Sequence, residues 1–229
     1  MAHAVNNFKD TQAQKIESAL ALFAAGELNP AETALIASYL TLTPSAREQV
    51  AFYTELAGSF FEQEKQEPVS AGCLDSVLAR IEGQRLDQPD ISITVHKDEA
   101  LTRKLPQPLL SYAHDNKRSI DLQPFLPGYK RMVFTHNRSP VHAELLHIDA
   151  GKKIAEHSHE GVEMTLILDG AFDDESGRYE KGSLIITDDE VTHSPISDKT
   201  HGCLCFTTRH NALKFKGLTG RLLNTIFRR

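Results

Sequence analysis

The segment Gly151-Lys-Lys-Ile-Ala-Glu-His157-Ser-His159-Glu-Gly161-Val-Glu163 sets two imidazoles and a carboxylate close together in sequence. If it forms one strand, His157, His159 and Glu163 share odd parity and point to one face, with Gly161 leaving room between the second imidazole and the carboxylate. Thr165 and Ile167 continue that row, while Val162, Met164, Leu166 and Leu168 form the opposite one. Both rows are largely apolar, which predicts a strand covered on both sides. Burying two imidazoles and a carboxylate without an ion leaves costly unsatisfied polar groups, so the set points to a first-row divalent metal. His193, in Thr192-His193-Ser194-Pro195, is the fourth candidate donor. It follows a strand predicted over 183–187, and a hairpin between Gly170 and Gly182 would return the chain beside the first strand. His3, His96, His114, His136, His142, His147, His201 and His210 lack such a pattern and read as ordinary surface or core imidazoles. Cys203 and Cys205 stand at i, i+2, so on a strand both thiols face one side, in poor geometry for a mutual disulfide. Two readings stay open for them: small buried apolar side chains, or a redox-reactive pair near the metal.

The elements that must position these residues change character along the chain. Over residues 1–85 the apolar period is helical. Ile16, Ala19, Leu20 and Phe23 form one stripe that Gly26 stops, and Asn29-Pro30-Ala31-Glu32 reads as an N-cap, first-turn proline and acidic third position. Leu35, Ile36, Tyr39 and Leu40 follow. Thr43-Pro44 opens a third helix with Val50, Tyr53, Leu56, Ala57 and Phe60, and a fourth after Ser70 carries Leu74, Val77, Leu78 and Ile81. Such a set either closes on itself as a small bundle or leaves an apolar groove for a partner's helices. Residues 86–110, with Asp87-Gln-Pro-Asp and Leu105-Pro-Gln-Pro, have linker chemistry. From 111 to 229 the period becomes two, with turn residues recurring as in an antiparallel barrel or sandwich. At the end, Gly220-Arg-Leu-Leu-Asn-Thr-Ile-Phe-Arg-Arg reads as a short closing helix in a basic tail. The fold class is therefore α + β with two domains.

Composition narrows the function classes. The 229 residues are 40% apolar and 24% charged, enough for a real core, and the net charge of −6 argues against direct nucleic-acid binding. The acidity is concentrated: residues 1–85 hold 6 basic and 11 acidic side chains, net −5, leaving −1 for the rest. No apolar run reaches membrane-spanning length, and Met-Ala-His-Ala-Val-Asn-Asn lacks a signal-peptide pattern. Three cysteines make no disulfide framework, and together these features predict a cytoplasmic protein.

Gly151-x5-His157-x-His159-x3-Glu163-x6-Gly170 matches the first cupin motif completely, whereas the second is met only at Gly182 and His193, with Asp188, Glu190 and Ser197 in place of its Pro, Gly and Asn. Gly161-Val-Glu-Met-Thr-Leu-Ile-Leu-Asp-Gly-Ala-Phe-Asp-Asp-Glu, Glu190-Val-Thr-His-Ser-Pro and Cys203-Leu-Cys205 resemble the cupin domain of ChrR-type anti-sigma factors. Phe23-Ala-Ala-Gly-Glu-Leu and Cys73-Leu-Asp-Ser-Val-Leu resemble parts of their helical domain. The resemblance implies a helical bundle followed by a cupin barrel (a double-stranded β-helix, or jelly roll). The bundle would sequester an extracytoplasmic-function sigma factor, and the barrel would bind one divalent metal and answer an oxidative or small-molecule signal. Zinc is the ion implied first, with iron, manganese or nickel next. The sequence departs from the family's N-terminal zinc pattern: the ligand positions fall near Gln14 and on Tyr39, Thr43 and Ala46, so the bundle is expected to hold by apolar packing. The alternative function is a cupin metalloenzyme of the dioxygenase type, weakened because no further general base stands near the candidate metal.

Overall fold

The computed structural model describes residues 2–65, 67–84, 98–116, 118–134 and 141–215. Six helices come first: α1 (Ala2–Ala25), α2 (Pro30–Leu42), α3 (Ser45–Phe61), α4 (Cys73–Gln84), α5 (Glu99–Thr102) and α6 (Gln107–Asp115). Gly26, at φ 75°, ends α1 in a left-handed conformation that costs glycine little. The Asn29 side chain then accepts from the Ala31 and Glu32 amides and starts α2. Thr43 does not cap α3, whose N-cap position is Pro44 with no side-chain bond. Its hydroxyl instead donates to the carbonyl of Gly182, 3.2 Å away, in the strand region.

Eleven strands follow: β1 (Gln123–Leu126), β2 (Tyr129–Val133), β3 (His142–Ile148), β4 (His157–His159), β5 (Glu163–Asp174), β6 (Gly177–Glu180), β7 (Leu184–Thr187), β8 (Thr192–His193), β9 (Ile196–Ser197), β10 (Cys203–Arg209) and β11 (Leu213–Phe215). The larger sheet runs β1-β2-β3-β10-β5-β6, with β7 and β9 also paired to β5, and β11-β4-β8 form the smaller one. Every strand pairing is antiparallel. At Gly170 (φ 70°) β5 passes so close to the Gly202 carbonyl that no Cβ fits. Near that point the β5–β10 register shifts, between Leu204 and Cys205.

β3, β5 and β10 are packed on both faces, with apolar side chains in both rows. Leu145, Leu166, Leu168, Leu204 and Phe206 pack outward against Leu20, Leu35, Ile36 and Leu109 of the helices. Ile148, Ile167, Cys203 and Cys205 pack inward with Phe172 and Ile185. One core therefore runs from the helices into the outer wall of the barrel.

Two expectations from sequence change at this point. Residues 86–97 of the expected linker lie outside the described residues, but 98–110 are not a loose connection. Asp98 caps α5 by accepting from the Leu101 amide at 2.9 Å, and Leu101, Leu105 and Leu109 are buried in the shared core. Apolar residues at that spacing outweigh the proline signals, since Pro106 and Pro108 stand where a helix start tolerates them. The bundle also does not close on itself. Ala46 is the buried residue of α3, whereas Leu56, Phe60, Leu74 and Leu78 are exposed at 45, 62, 68 and 47%. Tyr39 and Tyr53 do pack against the core, and Phe60 does not. The proposed closing helix over 220–229 lies outside the described residues.

Polar contacts lock α1 and α2 onto the barrel. Gln12 pairs with β7 as a strand would: its Nε2 donates to the Ile186 carbonyl at 2.6 Å, and its Oε1 accepts from the Ile186 amide at 3.0 Å. Lys15 meets Asp188 at 2.6 Å and Glu32 meets His210 at 2.7 Å. Replacing Gln12 by Ala leaves two buried backbone groups of Ile186 unpaired, so Gln12→Ala is expected to lower unfolding free energy by about 1–3 kcal/mol. Denaturant unfolding reads the loss, and hydrogen exchange at the Ile186 amide should quicken.

Candidate metal centre

The three histidines come from the smaller sheet. β4 carries His157 and His159, and β8 pairs with it so that His193 lies directly across from His157. The Nε2 atoms of His157 and His193 are 3.1 Å apart, and those of His159 and His193 are 3.2 Å apart. All three side chains are buried. No other group of His, Cys, Asp or Glu with this convergence occurs among the described residues.

The rear nitrogens explain what the front ones require. His157 Nδ1 lies 2.9 Å from the Ala155 carbonyl, which only accepts, so it must donate there. His193 Nδ1 lies 3.0 Å from the carboxylate of Asp174, a side chain 2% exposed, and donates likewise. In the neutral rings the proton is thus spent behind, and two Nε2 lone pairs face each other at 3.1 Å. Burial and the nearby His193 hold His157 down at about 4, so this ring is neutral near neutral pH with its Nε2 lone pair facing inward. The three converging nitrogens could hold a metal ion. Metal–nitrogen bonds of about 2.0–2.1 Å at tetrahedral angles set nitrogens roughly 3.3 Å apart, close to what is seen.

Glu163 stands elsewhere than one strand would put it. The chain turns after His159 through Gly161 (φ 87°) and enters the larger sheet at Glu163, so the carboxylate and the imidazoles sit on different sheets. Gly161 supplies the turn rather than space on a strand face. One Glu163 oxygen lies 3.5 Å from Nδ1 of His159, which has no hydrogen bond of its own, and the other accepts from the Thr165 hydroxyl at 3.2 Å. Burial would raise Glu163, but His159 and Arg209 outweigh it and hold the carboxyl at about 2. It is an ionised, weakly committed carboxylate beside the histidines.

His157 and His193 border a cavity of about 200 Å³ inside the barrel, walled by Phe125, Leu146, Ile154, Phe172 and Phe215 and reached by Thr165, Thr207, Glu144 and Arg209. Cys203 and Cys205 share the inward face, as their spacing predicts, and Cys205 lines the cavity while Cys203 packs in the apolar floor. The Cys203 sulfur and burial push the Cys205 thiol well up, so it is a thiol rather than a reactive thiolate.

Sequence reasoning missed three residues. Asp174, eleven positions beyond Glu163 at the far end of β5, backs His193. Arg209 and Glu144 form a buried ion pair at 2.6 Å in the cavity wall. The other Glu144 oxygen faces His142 at 3.2 Å and Arg131 at 3.8 Å, and Arg131 stacks on Phe125 at 3.7 Å. An acid and a base at alternating strand positions were the available signal, but only the β3–β10 pairing makes them neighbours.

The antiparallel strands have the cupin fold, with the histidine trio on the smaller of its two sheets. Residues 114–213 match the ChrR cupin-like domain family. The chain is 27% identical over 212 residues to the anti-sigma-E factor ChrR of Cereibacter sphaeroides, covering 93% of this chain and 96% of that protein. The anti-sigma ChrR solved in complex with SigE of Rhodobacter sphaeroides superposes with a TM-score of 0.67 at 27% identity, over 84% of this chain and 96% of that one. The chain thus resembles ChrR along nearly its whole length, with helices followed by a cupin domain.

Burial alone would raise Glu144, but His142 and Arg209 outweigh it and hold the carboxyl near 2, against 4.5 when free. A lowered carboxylate stabilises the fold above its free value and loses that contribution as pH falls from 4.5 towards 2, on the order of 3 kcal/mol. Glu144→Gln leaves the Arg209 charge buried and unpaired and is expected to cost about 3–5 kcal/mol at neutral pH. Thermal unfolding across that pH range should show the wild type, but not the variant, losing this share of stability.

Proposed function

We propose that this protein is an anti-sigma regulator: its helical part sequesters an extracytoplasmic-function sigma factor, and its cupin part holds a divalent metal through which a signal is received. The observation that carries the reading is similarity to ChrR over 93% of the chain, helices included. The uncovered faces of α3 and α4 support it. Leu56, Phe60, Leu74 and Leu78 are exposed on the acidic part of the chain, as a basic, amphipathic helical partner would require. Residues 1–85 form the binding unit in this proposal and 111–229 the cupin unit, with α5 and α6 securing one to the other. The site of action is the cytoplasm, where a sigma factor works. Among the described residues no helix is long and apolar enough to cross a membrane.

In the same proposal, zinc is the ion held by His157, His159 and His193, with Glu163 as the carboxylate that completes the set. The ion would supply a fixed positive charge between imidazoles that otherwise repel. His157 and His193 are held for it by Ala155 and Asp174. A change at β8 lies five residues from Asp188 and its Lys15 contact on α1, a short route from the metal loops to the helices. Cys203 and Cys205 serve as packing in this scheme, because both are buried among apolar side chains and out of reach of solvent-borne oxidants.

Two outcomes test the two halves. Elemental analysis should find one metal per chain in the wild type, essentially none in the His157→Ala, His159→Ala double variant, and an affinity reduced at least about tenfold in Glu163→Gln. A stoichiometric ion persisting in the double variant would reveal a second site. For the partner, the full-length Leu74→Asp, Leu78→Asp variant should bind the cognate sigma factor at least about tenfold more weakly than wild type while melting at the same temperature. Equal binding by calorimetry would place the interface elsewhere.

A further inference from the structure

The barrel cavity adjoins the histidines but has a chemistry of its own. Its walls are aromatic and aliphatic (Phe125, Leu146, Phe172 and Phe215 among them), and its polar lining includes Arg209 and the imidazoles of His157 and His193. At about 200 Å³ it equals the liquid volume of roughly six or seven waters, the scale of a molecule with one ring. Arg209, 4% exposed, spends one donor on Glu144 at 2.6 Å.

Charge decides what such a space accepts. Of the charged groups that line the cavity, Glu144, Glu163 and Arg209 are largely buried, whereas Lys153 is exposed to solvent. With neutral imidazoles the buried set is one negative charge in excess. A divalent ion at the histidines turns that into one positive charge in excess, inside walls that screen poorly. A buried charge of this kind is relieved by a counter-ion able to accept hydrogen bonds, and apolar walls favour one with an apolar body.

Resting on the metal reading above, we propose that the cavity is a binding site for a small organic monoanion, a carboxylate with a compact apolar body. It is admitted only when the ion is present. The carboxylate faces the ion and Arg209, and the body lies against Phe172 and Phe215. Such a ligand would be the small molecule to which the cupin part responds, and the metal would act as its gate.

Benzoate is the probe. Calorimetric titration into zinc-loaded full-length protein, with metal content measured on the same sample, is expected to give saturable binding. The neutral isostere benzyl alcohol should bind at least about tenfold more weakly. Leu146→Phe, which fills the cavity and leaves the histidines and the Glu144–Arg209 pair in place, should show a loss of the same size. Folded, metal-stripped protein should bind none. Four results overturn the proposal: loaded protein that ignores benzoate, loaded protein that takes benzyl alcohol equally well, Leu146→Phe that binds like wild type, or folded, metal-stripped protein that binds as loaded protein does. Protein that takes up no zinc overturns the metal reading, and this inference with it, so the two failures are told apart by the metal content.

Discussion

Both halves of the molecule depend on β10, which lies between β3 and β5 and is buried along its length. Its even-numbered side chains, Leu204 and Phe206, face the helices, and its odd-numbered ones, Cys203, Cys205, Thr207 and Arg209, belong to the interior or its rim. A strand covered on both sides cannot slip by one residue without exposing one core and burying charge in the other. The same register that seats α2 on the barrel therefore sets Arg209 opposite Glu163 and beside Glu144. Helices and barrel share one packed wall instead of hanging from a flexible tether.

The histidine trio shows the same economy of placement. Each of His157 and His193 has its rear nitrogen fixed by a single acceptor, which turns its Nε2 inward toward the others. Arg209 bonds Glu144 and lowers Glu163, so the charges of the wall and of the centre are coupled. In the proposed scheme an ion or anion entering the cavity would change a balance beside β5, whose neighbour β7 is bonded to α1 through Gln12.

Much of this was legible along the chain, and what was not has a common cause. Local patterns sufficed for the four N-terminal helices, the Asn29 cap, the change to period two and the pair His157 and His159. The single-strand reading of His157 to Glu163 failed because Gly161 serves a turn, and parity does not survive a turn. The linker reading failed over 98–110 because proline and charge outnumber three buried leucines in composition but not in free energy. Asp174, Arg209, Glu144 and Gln12 have no local signature. Each acts through a partner between nineteen and 174 residues away, and pairing at that range is decided by sheet topology. The open faces of α3 and α4 carry the opposite lesson: the helical period marks an apolar stripe but not what covers it.

Hydrogen exchange on the full-length protein, with and without the cognate sigma factor, bears most directly on the central claim. The account predicts strong new protection over 45–61 and 73–84, with the amides of β4 and β8 changed little. Protection concentrated at the barrel mouth with α3 and α4 exchanging as before, or no protection at all, would contradict it.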